Sequence, residues 1–307
     1  MRLHRPLTIA TAALALLAST ACPQKSPLAN DPGAADEQLF QEGLALYDAV
    51  PPDYAGAQVK FAELVDSYPN SSRADNAAYL VGRCQYEQAL YDDATITLVA
   101  MRADYPGSPF ASSAAYFTGR SRYELLDFAG AVPEFQQAVA LDAAATYADN
   151  ASYYVGRSYY EDAQLAPAIT AFEQFEAAFP ASSYLDNAGY YHGRAYFNQA
   201  LFADALPHFQ GVLVFTDSIY LDNAQYYLAR CQYGLGQLDV ALASFEALLA
   251  GYAGSQYLDN ALYYEARIAA DQGDCPTAQA ALAELTAAYP ASPEIARATT
   301  YLANAGC

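Results

Sequence analysis

Basic side chains are scarce in this chain of 307 residues, where 14 Lys and Arg stand against 34 Asp and Glu. Arg2 and Arg5 lie in the first 22 residues, which hold no acid, so the remainder carries 12 against 34, a net charge of −22. A field of that sign repels nucleic acid and anionic lipid and removes both as general partners. It also keeps an extended molecule soluble. Histidine is rarer still: of three, His4 lies in the leader, leaving His192 and His208. Neither stands in a metal-ligand spacing, so the expectation is two lone surface or groove residues, no metal site and no cofactor. A glycine-rich phosphate loop, a nucleophile elbow and an HExxH helix are all absent. Paired carboxylates abound, but in so acidic a chain they carry no information, and the chain reads as a non-enzyme. Past the leader no apolar run reaches membrane-spanning length.

Residues 1–21 have the form of a bacterial export signal. Arg2 and Arg5 give the positive start, Leu7 to Ala18 the apolar stretch, and Ser19-Thr20-Ala21 the small cleavage site. Cys22 follows directly, and the segment resembles a lipoprotein signal, although Ser19 stands where such signals usually carry leucine. The resemblance implies acylation of Cys22, and Pro23 after it implies the outer membrane. Residues 22–36 are polar and Pro/Ala-rich and read as a tether able to span about 45 Å. The folded part is expected over 37–307, long for one compact core but normal for a quasi-linear array.

A nine-residue motif then recurs: DNAAYLVGR at Asp75, SSAAYFTGR at Ser112, DNASYYVGR at Asp149, DNAGYYHGR at Asp186, DNAQYYLAR at Asp222 and DNALYYEAR at Asp259. Its steps are 37, 37, 37, 36 and 37 residues. Self-similarity at this period marks stacked helical hairpins, since one hairpin alone cannot bury its apolar face. The first helix of each unit is expected to be capped at Ser71, Ser108, Ser182, Asp217, Ser255 or Ser292. The second carries an alanine and an apolar residue four on, as in Ala57/Phe61, Ala131/Phe135, Ala168/Phe172, Ala205/Phe209 and Ala241/Phe245. Cysteine usage fits an oxidising compartment. Cys275 and Cys307 fall at adjacent ends of antiparallel helices, where a disulfide would stabilise by about 3–4 kcal/mol. Cys84 and Cys231 share one register four units apart, so they read as small buried packing residues.

Glycine before the arginine, then Ala-x-x-x-Phe, then proline resembles the tetratricopeptide repeat, best at Gly156, Ala168, Phe172 and Pro180. Gly82, Gly119 and Gly193 repeat the first position, and Ala229 and Ala266 replace it. The early aromatic of that repeat is missing here, and the step of 37 exceeds its usual 34. The resemblance implies an all-α, right-handed helical-hairpin solenoid of about seven helix pairs and a closing helix. Among lipid-anchored arrays the protein is similar to the outer-membrane assembly (BamD/YfiO-like) and Tol-Pal-associated (YbgF/CpoB-like) families.

Within each first helix Asn, Tyr, Arg and an aromatic fall on one stripe, which the resemblance turns toward a concave groove. Its central members are Tyr116, Arg120, Asn150, Tyr153, Arg157, Asn187, Tyr190, Arg194, Asn223, Tyr226 and Arg230. Two readings stand open. In one the arginines stack on tyrosines and knit neighbouring units together, helped by acids four residues on (Arg83/Glu87, Arg120/Glu124, Arg157/Glu161, Arg267/Asp271). In the other the stripe receives an envelope protein or peptide segment, and Arg194 and Arg230, lacking such an acid, are the contacts. The same Asn-Tyr-Arg chemistry also suits a glycan, with Tyr153, Tyr190 and Tyr226 as stacking platforms. Contact with the membrane is expected only through the lipid on Cys22.

Overall fold

The computed structural model describes residues 32–307; the segment expected to be an export signal, Cys22 and the expected tether as far as residue 31 lie outside the described residues. The described part is all α-helix: α1 (Pro32–Tyr47), α2 (Tyr54–Ser67), α3 (Ala74–Glu87), α4 (Tyr91–Asp104), α5 (Ala111–Glu124), α6 (Phe128–Leu141), α7 (Ala148–Glu161), α8 (Leu165–Ala178), α9 (Leu185–Asn198), α10 (Phe202–Val212), α11 (Leu221–Gly234), α12 (Leu238–Gly251), α13 (Leu258–Asp271), α14 (Cys275–Ala288) and α15 (Glu294–Ala305). Consecutive helices pair into seven hairpins, and α15 closes the array against α13 and α14. Helix α1 starts at Pro32, ahead of the expected boundary at Glu37. Asp36 and Glu37 are already joined to the second hairpin, where Ser71 Oγ donates to Asp36 and Arg73 Nε to Glu37.

Helices of 14 residues are marginal alone, so the hairpin interior must hold them. The Ala/Phe pairs do so: Ala57, Phe61, Ala131, Phe135, Ala168, Phe172, Ala205, Phe209, Ala241 and Phe245 are all fully buried. Glycine on the facing helix makes room for the ring. A Cβ on Gly156 would come within 2.6 Å of Phe172, closer than real Cβ atoms approach anything. The one shortened step has its cause in α10, which has 11 residues where its counterparts have 14.

Each odd helix of the second to seventh hairpins stops in the same way. A left-handed residue follows it: Ala89, Leu126, Ala163, Ala200, Gly236 or Gly273. The next N–H then bonds back to a carbonyl five residues earlier, as in Leu90 to Gln85 and Gln237 to Gln232, both 2.9 Å. Entry into the odd helices is also uniform, but it differs from the expected caps. Ser71, Ser108, Ser182, Ser255 and Ser292 sit one turn ahead of the helix, each accepting the backbone N–H two residues on. In the shortened unit the residue that does so is Ser218 rather than the expected Asp217; it stands four residues ahead of the motif aspartate Asp222, as the serine stands ahead of the motif in its neighbours. Four of these serines also donate to an aspartate of the preceding unit, Ser71 to Asp36 and three others to the motif aspartate. Ser108–Asp75, Ser182–Asp149 and Ser292–Asp259 each measure 2.7 Å.

Cys275 and Cys307 form a disulfide, with their Cα atoms 4.9 Å apart, and fix α15 to the start of α14. Cys84 and Cys231 are free and buried, and burial pushes both thiols up to about 12. No helix among the described residues is long and apolar enough to cross a membrane.

Candidate functional site

The stripe lies along α3, α5, α7, α9, α11 and α13, and its tyrosines are interior. Tyr116 is 2 % exposed, Tyr153 5 %, Tyr190 4 % and Tyr226 4 %. Each is covered by an aromatic residue from just ahead of the next odd helix. Tyr116 stacks on Tyr147 at 4.6 Å, Tyr190 on Tyr220 at 4.4 Å and Tyr226 on Tyr257 at 4.2 Å, and Tyr184 covers Tyr153 in a tilted contact at 4.9 Å. Burial pushes the phenols of Tyr153, Tyr190 and Tyr226 well above the ordinary tyrosine range. A covered, interior ring cannot stack on a sugar, so the expected glycan platform does not exist at these three positions. The covering aromatics were not among the sequence candidates. Their signal is the Ser-x-aromatic triplet preceding the motif in most units.

The asparagines continue the same links. Asn150 Nδ2 donates to Tyr116 at 3.5 Å, while Tyr190 and Tyr226 donate to Asn223 and Asn260 at 3.3 and 3.2 Å. In that register Tyr153 and Asn187 make no such bond among the described residues; the Asn187 amide donates only to its neighbour Asp186.

The arginines are half-buried, and all but Arg230 lie nearest an aromatic ring of the next unit. Distances from guanidinium carbon to ring centroid are 3.7 Å for Arg83 over Phe117, 4.5 Å for Arg120 over Tyr154 and 3.4 Å for Arg157 over Tyr191. The series continues with Arg194 over Tyr227 at 4.3 Å and Arg267 over Tyr301 at 4.5 Å, while Arg230 lies closer to Phe197 of the preceding unit, at 4.7 Å, than to Tyr264 of the next, at 5.7 Å. A desolvated contact of this kind contributes about 2 kcal/mol, against about 0.2–0.5 kcal/mol for a helical ion pair. The stacking dominates.

The acids divide the arginines into two groups. Arg83, Arg120 and Arg157 pair with Glu87, Glu124 and Glu161. Arg267 does not pair with Asp271, contrary to expectation. Asp271 instead accepts from Tyr233 and Tyr301, and Arg267 donates to Tyr263 at 3.2 Å. Arg194 and Arg230 have no carboxylate within ion-pair distance among the described residues; Arg194 Nη1 donates to Tyr190 at 2.7 Å. The stripe is therefore closed by its own acids on α3, α5 and α7, whereas Arg194, Arg230 and Arg267 on α9, α11 and α13 have no ion pair among the described residues.

The histidines depart from the expectation of two lone surface or groove residues. His192 on α9 is 1 % exposed, and its ring lies 3.7 Å from that of His208 on α10. Its Nδ1 is 3.0 Å from Oε1 of Glu176 on α8. Burial, with His192 alongside, lowers His208 to about 4. These residues are sixteen apart in sequence on three helices, so no local motif announces them.

The tetratricopeptide repeat family model matches residues 150–182 and 223–255, and a second tetratricopeptide repeat model matches 263–306. The protein thus carries tetratricopeptide repeats, in an all-helical solenoid of that type. No curated protein matches it. Among solved structures it is similar to the C-terminal part of a TPR repeat-containing protein from Cytophaga hutchinsonii, with TM-score 0.64 and 20 % identity, covering 87 % of this chain and 98 % of that one. A tetratricopeptide repeat protein from Parabacteroides merdae gives TM-score 0.55 at 13 % identity, over 89 % of this chain and 100 % of that one. YrrB, described as a TPR protein with an unusual peptide-binding site, gives 0.54 at 18 %, over 66 % and 97 %. At these identities the likeness is one of fold.

Proposed function

We propose that this protein is a non-enzymatic, protein-binding scaffold of the bacterial cell envelope. Its stripe captures a partner segment bearing carboxylates, an acidic peptide or a free carboxyl terminus, on α9 and α11. The observation that carries the reading is the pair Arg194 and Arg230. They are adjacent guanidinium groups in one row that lack both an ion pair and any acid four residues on; Arg267, also without an ion pair, has Asp271 there. An incoming carboxylate would supply the missing acid with bidentate geometry. The peptide-binding site ascribed to YrrB, a protein of the same architecture, supports this reading. The leader and Cys22 support export and a lipid anchor in the outer membrane, with the array facing the periplasm and acting in outer-membrane assembly or envelope maintenance. The alternative, recognition of peptidoglycan or polysaccharide, loses its main support because its stacking rings are covered.

The test compares two double variants for capture of envelope proteins in detergent. Arg83→Gln/Arg120→Gln removes two stacking arginines that already have acids. Arg194→Gln/Arg230→Gln removes the two with no acid four residues on. At equal helicity by circular dichroism, the second is expected to lose at least one specific protein that the first and the wild type retain. Retention of every partner by the second variant contradicts the assignment. Retention of proteins with loss of purified peptidoglycan favours the alternative.

A further inference from the structure

The junction between the fourth and fifth hairpins holds a constellation that no other junction among the described residues holds. One ligand atom each from Glu176 (α8), His192 (α9) and His208 (α10) lies within 4.8 Å of the other two. Tetrahedral coordination with bonds of about 2.1 Å places ligand atoms about 3.4 Å apart, so a small side-chain movement closes the set on one ion. His192 Nε2 is inaccessible and has no hydrogen-bond partner, a costly state for a ring nitrogen 1 % exposed. The same three registers at the junction of α4, α5 and α6 hold Arg102, Thr118 and Glu134, where an ordinary ion pair joins Arg102 to Glu134. At the junction of α12, α13 and α14 they hold Leu249, Glu265 and Ala281. The position is therefore a structural node between units, filled elsewhere by an ion pair or by packing and here by donors suited to a metal.

We infer that Glu176, His192 and His208 form a binding site for a divalent transition-metal ion of the zinc class. Two imidazoles and one carboxylate select a borderline ion over Ca2+ or Mg2+, which prefer all-oxygen sets. Glu176 and His208 are only half-buried, so a fourth coordination position faces water. Tyr196 stacks beside both histidines and donates to Glu173 at 3.4 Å, closing the other side. The bound ion would clamp α8, α9 and α10 together. Arg194 lies two residues from His192, about 200° around the same helix, so the clamp braces from behind the hairpin that presents it. The site does not depend on the proposed partner surface.

Equilibrium dialysis of the untagged full-length protein against Zn2+, read by elemental analysis, tests the site. The expected result is one Zn2+ per molecule, undiminished by excess Ca2+, with affinity at least about tenfold weaker in both His208→Ala and Glu176→Gln. His208→Ala keeps every acid of the protein, so unchanged Zn2+ binding in that variant would place the ion on the acidic surface and overturn the assignment. Absence of stoichiometric Zn2+ would do the same. If the variants do not fold, wild type loaded with Co2+ decides: an intense visible band supports a low-coordinate histidine site, and the weak spectrum of an octahedral ion overturns it.

Discussion

An arginine seven residues after each motif asparagine has two partners to choose from, the acid one turn on and the ring in the next unit. A ring contact is present at every position of the stripe, and the acid joins only where it is glutamate. Asp271, one methylene shorter, goes to two tyrosine hydroxyls instead. Local spacing displays the acid, while the ring emerges only when units are laid in register. For that reason the stripe and its stacking between units are legible in the sequence as one of two readings, but which ring each arginine meets is not. Glu265 shows what happens when an acid enters a packed junction without a cation. Burial, with Glu246 and Glu284 alongside, raises its carboxyl from 4.5 to about 7. The folded state then holds the proton more tightly than the unfolded one, so stability falls as pH rises from 4.5 through 7. Thermal melts should show Glu265→Gln more stable than wild type at pH 8 and no different near pH 4. An equal gain at both pH values would exclude the titration.

At the scale of helices, one turn geometry serves six hairpins with different residues at the same left-handed position. Gly236 and Gly273 adopt φ of 73° and 77° without strain, whereas Leu126 sits at 63° with its side chain 64 % exposed. Gly236→Ala should therefore lower stability by about 1 kcal/mol, the strain of a side chain in that region outweighing the entropy it removes from the unfolded state. Leu126→Gly should gain roughly 0.5–1 kcal/mol, because little packing is lost. Urea unfolding midpoints check both, and a gain for Gly236→Ala would refute the strain argument. Helix existence, pairing and the Ala/Phe face were readable from the 37-residue rhythm because period and packing are local. The helix entries were not. The serine that resembles a cap folds its own turn first and ties back to an aspartate of the preceding unit, a contact between units that no window on one unit displays.

The whole molecule is a row of such junctions, each repeating the same stack, amide bond and ring contact with variations. Variations carry what is individual about this protein. Toward the first hairpins the stripe is neutralised from within, at the fifth a histidine pair replaces packing, and on α9 and α11 the positive charge stands open in a protein of net charge −20. The disulfide closes the far end, where an unpaired hairpin face would otherwise be exposed. On the proposed function, partners are received on the stripe at α9 and α11 and not on the outer helices. Site-specific photo-crosslinking in the native envelope tests it most directly. A photoreactive residue is placed at Asn187, within the stripe, or at Ile96, 68 % exposed on α4. A discrete protein adduct from Asn187 that disappears with Arg194→Gln/Arg230→Gln is the predicted result. Adducts from Ile96 with none from Asn187 would place the partner on the outer helices and overturn the assignment of the stripe.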